Sequence, residues 1–138
     1  MRRTTILLAA ACLLVGAAVG CSKSSGDKAE DCATALTERT GGDSADTPTV
    51  SEAEKRVDAL DTTLADMVRT GYEGVAKDAA DTVEKKTKEG GKSRPEACEP
   101  LSENDYTVLL MAKTIHGLGW TDKDGQFDKL RMVKGLSD

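Results

Sequence analysis

Aromatic residues and histidine are scarce in this sequence. Its 138 residues include four aromatic side chains, Tyr72, Tyr106, Trp120 and Phe127, and one histidine, His116. Basic residues are outnumbered, with 19 against 24 acidic residues and a formal charge of −5. This balance argues against a nucleic-acid partner, and the length excludes a multidomain enzyme of ordinary size. The sequence has only one long apolar run, whereas a polytopic membrane protein needs several, so this class is excluded.

The motifs of common hydrolases and metal sites are also missing. The sequence contains no GxSxG, HExxH or CxxC pattern, and no second histidine that could pair with His116. We therefore predict no catalytic residue, no cofactor and no metal site. We interpret Asp58 and Asp61 as the solvated face of a helix, and His116 as a structural or surface residue in the last turn of another.

The apolar run lies near the N-terminus. Residues 6–19 are apolar, follow Arg2 and Arg3, and end in small side chains. A short basic start followed by such a run is typical of a secretory signal peptide, which we place at residues 1–20. A membrane-spanning helix is the alternative, but it requires about 20 apolar residues.

The residues that follow the apolar run carry a resemblance. Ala18, Val19, Gly20 and Cys21 resemble the lipobox of bacterial lipoproteins, although Leu is commoner than Ala at the first of these positions. The resemblance implies that the Cys21 thiol receives a diacylglyceryl group and that the signal is cut before it. The protein would then be anchored in the cell membrane, on its extracytoplasmic face, because two or more acyl chains bind a protein stably to a membrane. The alternative is a secreted protein in which Cys21 is free or paired.

Cleavage before Cys21 would shorten the chain and change its formal charge. It leaves 118 residues with a formal charge of −7, because Arg2 and Arg3 are lost and no acid is. We expect residues 21–28 to form a lipidated, flexible tether and residues 29–138 to form one helical domain.

Two cysteines remain once Cys12 leaves with the signal and Cys21 is assigned to lipid. In an exported protein Cys32 and Cys98 are expected to form one disulfide. A metal site is the alternative, but it would need more ligands at short spacing.

Helical periodicity dominates the mature sequence. Apolar residues recur every three or four positions in residues 29–40, in residues 57–68 after a capping box of Ser51 and Glu54, and in residues 75–83. Glycines at 71 and 74 are expected to kink or break the second pattern. Residues 106–115, capped by Ser102, are apolar on nearly all sides and predict the most buried helix. These patterns predict an all-α fold, a small disulfide-stapled bundle of about four helices.

The C-terminal segment contains a cluster of acids. Asp122, Asp124 and Asp128 suggest a calcium loop, but Trp120 and Arg131 would occupy two ligand positions, so the EF-hand pattern fails. A reversal at residues 123–125, or an Asp cap on a last helix, explains the same residues. Residues 115–130 are similar to small lipoproteins of high-GC Gram-positive bacteria, a group that implies location and a helical domain but no activity.

These observations predict a membrane-anchored, non-catalytic surface lipoprotein that binds a protein or cell-wall partner. A lipid or peptide carrier and an envelope hydrolase are the alternatives. An enclosed apolar pocket would favour the carrier, an exposed apolar patch the interaction module, and titratable groups converging in a cleft the hydrolase.

Overall fold

The computed structural model describes residues 24–138. This part of the chain forms five α-helices and one 3₁₀-helix, η1. The elements are α1 (Ser25–Thr40), α2 (Val50–Arg69), α3 (Glu73–Gly90), η1 (Glu96–Cys98), α4 (Glu103–Gly117) and α5 (Lys129–Ser137). The predicted all-α fold is confirmed. The expected signal peptide (residues 1–20) and the lipidation site, Cys21, lie outside the described residues.

Helix α4 is the central element, as its apolar composition predicts. It packs against α1, α2 and α3, and seven of its 15 residues are buried. One core cluster joins α4 to α1 and η1, and a second joins it to α2, α3 and α5. Tyr106 and Trp120 are buried in these clusters, whereas Tyr72 is 61% exposed. The aromatic contribution to packing therefore comes from the C-terminal third of the chain.

The predicted disulfide between Cys32 and Cys98 is confirmed. It joins the middle of α1 to η1, with a Cα–Cα distance of 4.5 Å, and both residues are fully buried. The bond holds a short amphipathic helix against the rest of the core.

Two predicted helix starts are wrong, and both helices begin earlier. Helix α1 begins at Ser25, so residues 25–28 are its first turn and not part of the tether. Ser24 caps it: its Oγ accepts from the Asp27 amide at 3.2 Å, and the Asp27 carboxylate accepts from the Ser24 amide. The capping box of α2 is formed by Thr49 and Glu52, two residues before the expected pair.

Glycines separate the helices in two different ways. The predicted break around Gly71 is confirmed, because α2 ends at Arg69 and Gly71 adopts a φ of 93°. Gly117, by contrast, is the last residue of α4, and a positive φ occurs two residues later, at Gly119. A Cβ on Gly117 would lie 1.9 Å from the carbonyl oxygen of Thr40, so glycine allows α4 to touch the end of α1.

The two structural interpretations of the C-terminal acids are both confirmed. Residues 122–125 form a turn, closed by a bridge between Thr121 and Phe127. Asp128 caps α5 by accepting from the amides of Leu130 and Arg131. None of the helices within residues 24–138 is both long and apolar enough to cross a membrane.

Candidate functional site

A cleft opens between three segments that are distant in sequence. Its volume is about 600 Å³. Its walls are the loop after α1, the first half of α2 and the turn before α5, with His116 of α4 between them. The lining residues are Asp43, Ala45, Asp46, Thr47, Pro48, Glu52, Lys55, Arg56, Ala59, His116, Asp122, Lys123, Asp124, Gly125, Gln126 and Phe127. Side chains of both charge signs therefore face this space.

An ion pair forms part of the cleft wall. The Asp46 carboxylate accepts two hydrogen bonds from Arg56, at 3.0 Å from Nη1 and 2.9 Å from Nη2. The Asp46 side chain is 10% exposed and that of Arg56 is 5% exposed. Arg56 Nη1 also donates to the carbonyl of Ala112 in α4 at 3.0 Å. This paired geometry fixes both the loop and α2 to the central helix.

Lys113 lies behind the ion pair and is fully buried. Its ammonium donates to the carbonyl oxygens of Asp46, at 2.6 Å, and Asp43, at 3.3 Å. The same ammonium lies 3.5 Å from the Asp46 carboxylate. Two cations thus share one carboxylate here, and backbone carbonyls complete the coordination of Lys113.

His116 connects α4 to the cleft walls. Its Nε2 accepts a hydrogen bond from the Asp43 amide at 3.3 Å, and its Nδ1 lies 2.7 Å from the Thr121 hydroxyl. Since Nε2 accepts, we assign the proton of the neutral ring to Nδ1. A Cβ on Gly42 would lie 2.7 Å from the ring, so the loop backbone packs directly against it. The expected structural role of His116 agrees with these contacts.

The electrostatics of the cluster have clear physical causes. Burial would raise the pKa of Asp46, but the hydrogen bonds and charge of Arg56, helped by His116 and Lys113, lower it below its usual value. Burial lowers the pKa of Lys113, against the opposing effect of Asp46. Burial also lowers the pKa of His116; Asp46 opposes this shift, while Arg56 and Lys113 add to it.

The acids of the C-terminal segment stabilise the turn. Asp122 Oδ1 accepts hydrogen bonds from the amides of Asp124 and Gln126, at 2.9 and 3.0 Å. Within residues 24–138, no three His, Cys, Asp or Glu side chains are grouped as metal ligands would be. Asp58 and Asp61 are exposed on α2, in line with the predicted solvated face.

The sequence analysis missed the cluster of Asp46, Arg56 and Lys113. One signal was available, because Lys113 is the only formally charged residue in the apolar run of residues 106–115. A lysine buried on such a helix requires an acceptor elsewhere in the fold. The sequence could not say that this acceptor would come from residues 43 and 46.

No protein-family model, curated protein or solved structure matches this chain.

Proposed function

We propose that this protein is an extracytoplasmic lipoprotein, anchored by acylated Cys21, whose helical body binds a polar partner in the cleft. The proposal is supported by the Cys32–Cys98 disulfide. Disulfides persist in oxidising, extracytoplasmic compartments. Because these two cysteines pair with each other, neither can form a disulfide with Cys21. The Cys21 thiol therefore remains for the proposed acylation.

The cleft supports a binding role of the body. Its volume of about 600 Å³ lies within the range of roughly 300–1,000 Å³ that is usual for ligand sites. Half of its lining residues carry a charged side chain, which suits a polar protein segment or cell-wall component better than an acyl chain. The contacts of Asp46 and Arg56 fix two of its walls before any partner arrives.

An envelope hydrolase is the second candidate, because titratable side chains converge on the cleft. Asp46 is paired with Arg56, however, and both ring nitrogens of His116 have partners within the protein. A general base needs a nitrogen or oxygen within hydrogen-bond reach of the substrate. These contacts favour binding over catalysis.

The anchor is tested by labelling cells with an alkyne analogue of palmitate and measuring the intact mass of the protein. We expect label on the unaltered protein and a mass that lacks residues 1–20. Cys21→Ser should remove the label, whereas Cys12→Ser, placed within the signal, should keep it. A Cys21→Ser protein that retains the label, or an unaltered protein that is cut but unlabelled, would contradict the anchor.

Binding in the cleft is tested by site-specific photocrosslinking in intact cells. A photoreactive amino acid replaces Lys123 at the cleft, and in the control replaces Lys85, an exposed residue of α3 outside it. We expect one adduct of constant mass from position 123 and none from position 85. Equal labelling from both positions, or no adduct at 123, would count against a cleft partner. Turnover of cell-wall fragments that is lost in His116→Gln would favour the hydrolase.

A further inference from the structure

His116 ties both the loop after α1 and the turn before α5 to the central helix. The loop contributes the Asp43 amide, which donates to Nε2, and the turn contributes the Thr121 hydroxyl beside Nδ1. The ring is 18% exposed, and both of these segments line the cleft. A change at this ring therefore acts on two walls at once.

Only the neutral ring can form both hydrogen bonds at once. A second proton would sit on Nε2 and face the Asp43 amide, which is itself a donor 3.3 Å away. Two N–H groups cannot form a hydrogen bond, so protonation removes the contact between the loop and the ring. The Nδ1 contact with Thr121 can persist, since Nδ1 carries a proton in both states.

The surrounding charges oppose a positive ring as well. Arg56 on α2 and Lys113 on α4 are cations of the same cluster, and Asp46 is the carboxylate shared between them. Asp46 Oδ2 lies 3.8 Å from His116 Nδ1 and partly offsets them; Asp43 faces the ring from the loop. A protonated His116 would thus be a third cation competing for one buried carboxylate.

We propose that His116 is a proton-operated latch: the neutral ring holds the loop at Asp43 against α4, and its protonation releases the loop at this point and widens the cleft there. Asp46 stays paired with Arg56 throughout. This latch does not depend on acylation of Cys21. The pKa of His116 is lowered because burial disfavours the charged ring, so the ring stays neutral to a lower pH than an exposed histidine does. Access to the cleft would consequently increase on acidification.

The test is an NMR titration of the full chain in an uncharged detergent, without a histidine tag, between pH 7.5 and 5. The chain has one histidine, so its imidazole signals need no further assignment. We expect the Asp43 amide shift to follow the same midpoint as the imidazole. Its exchange protection, corrected for intrinsic rates, should fall by up to about tenfold for each pH unit between the ordinary histidine pKa and that midpoint, and then level off. The Gly91 amide, bonded to the Thr87 carbonyl, should stay protected.

His116→Gln supplies the matched variant. Its amide oxygen can accept from the Asp43 amide but does not titrate, so this amide should remain protected at the pH where the imidazole of the unaltered protein is protonated. An equal loss of protection in this variant would overturn the latch. The unaltered protein provides an independent check if the variant is unstable: an imidazole that titrates with no change at Asp43, or only on global unfolding, overturns it too.

Discussion

Asp46 is the residue on which the buried charges depend. It is shared by Arg56 and Lys113, and the latter is fully buried. Removing one partner of a buried ion pair leaves an uncompensated charge, which costs more than the pair itself contributes. The cluster thus holds the loop against the core mainly because breaking it would leave buried charges unpaired.

We expect Asp46→Asn to lower the free energy of unfolding by about 3–5 kcal/mol, because two buried cations lose their carboxylate. Urea denaturation followed by circular dichroism measures this change. Glu84→Gln is the matched control, since Glu84 pairs with Lys88 on the exposed surface of α3. Its effect should stay below about 1 kcal/mol. Similar losses of unfolding free energy in both variants would show that the Asp46 cluster stabilises the fold no more than an exposed ion pair does.

The stability of the protein should fall on acidification in two steps. The pKa of His116 is lowered in the folded protein because burial disfavours the charged ring, so the unfolded chain binds this proton first. Stability therefore falls as pH drops from about 7 to the lower pKa of the folded state, and then levels off. Burial would raise the pKa of Asp46 but Arg56 lowers it, so its contribution is present above the ordinary carboxyl pKa and lost as pH falls through the lower one.

Urea midpoints measured from pH 7.5 to 3 check this prediction. His116→Gln should abolish the upper step, which begins at the ordinary histidine pKa, and keep the one at lower pH. A variant that retains the upper step would assign it to another group.

At the scale of elements, a close approach joins the ends of α1 and α4. A Cβ on Gly117 would meet the Thr40 backbone at 1.9 Å, and a backbone carbonyl cannot rotate away as a side chain can. This contact places His116, the preceding residue, beside Gly42 of the loop. The helix ends therefore determine where the cleft forms.

Gly117→Ala should destabilise the protein by about 1–3 kcal/mol, because the added methyl forces the two helices apart. Gly74→Ala is the control: it lies in α3 with no atom within 4 Å of the new Cβ. There the change should raise stability by about 0.4–1 kcal/mol, since alanine restricts the unfolded chain. Thermal unfolding compares the two, and a neutral Gly117→Ala would disprove the close contact.

At the scale of the whole molecule, one covalent bond closes a long loop. Cys32 and Cys98 are 66 positions apart, and their disulfide joins α1 to a chain segment beyond α3. In the chain-entropy account, closing a loop of this length restricts the unfolded state by roughly 4 kcal/mol. This is a large share of the stability that a domain of about this size has.

The double variant Cys32→Ala/Cys98→Ala should lose about 4 kcal/mol of unfolding free energy. Denaturation of oxidised, reduced and double-variant protein measures the loss, and tryptic peptides analysed without reductant confirm the pairing. Free, alkylatable thiols at both positions of the folded, oxidised protein would contradict the disulfide.

Local signals in the sequence determined the helices, the break at Gly71, the central position of α4 and the all-α class. Apolar period, caps and glycines act within a few residues, so they can be interpreted along the chain. The cysteine count predicted the disulfide because the expected signal peptide and lipid anchor account for Cys12 and Cys21. The sequence did not determine where α2 begins. Two pairs match a capping box, Thr49 with Glu52 and Ser51 with Glu54, and the choice between them depends on neighbouring contacts.

Tertiary structure alone decided the cleft and its charged wall. Lys113 meets the Asp46 carbonyl across 67 residues, and His116 meets the Asp43 amide across 73. Nothing in the spacing of these residues specifies their contact, because it follows from how α1 and α4 meet at Gly117 and from where the loop then passes. The sequence contained a single histidine, and packing gave it its partners.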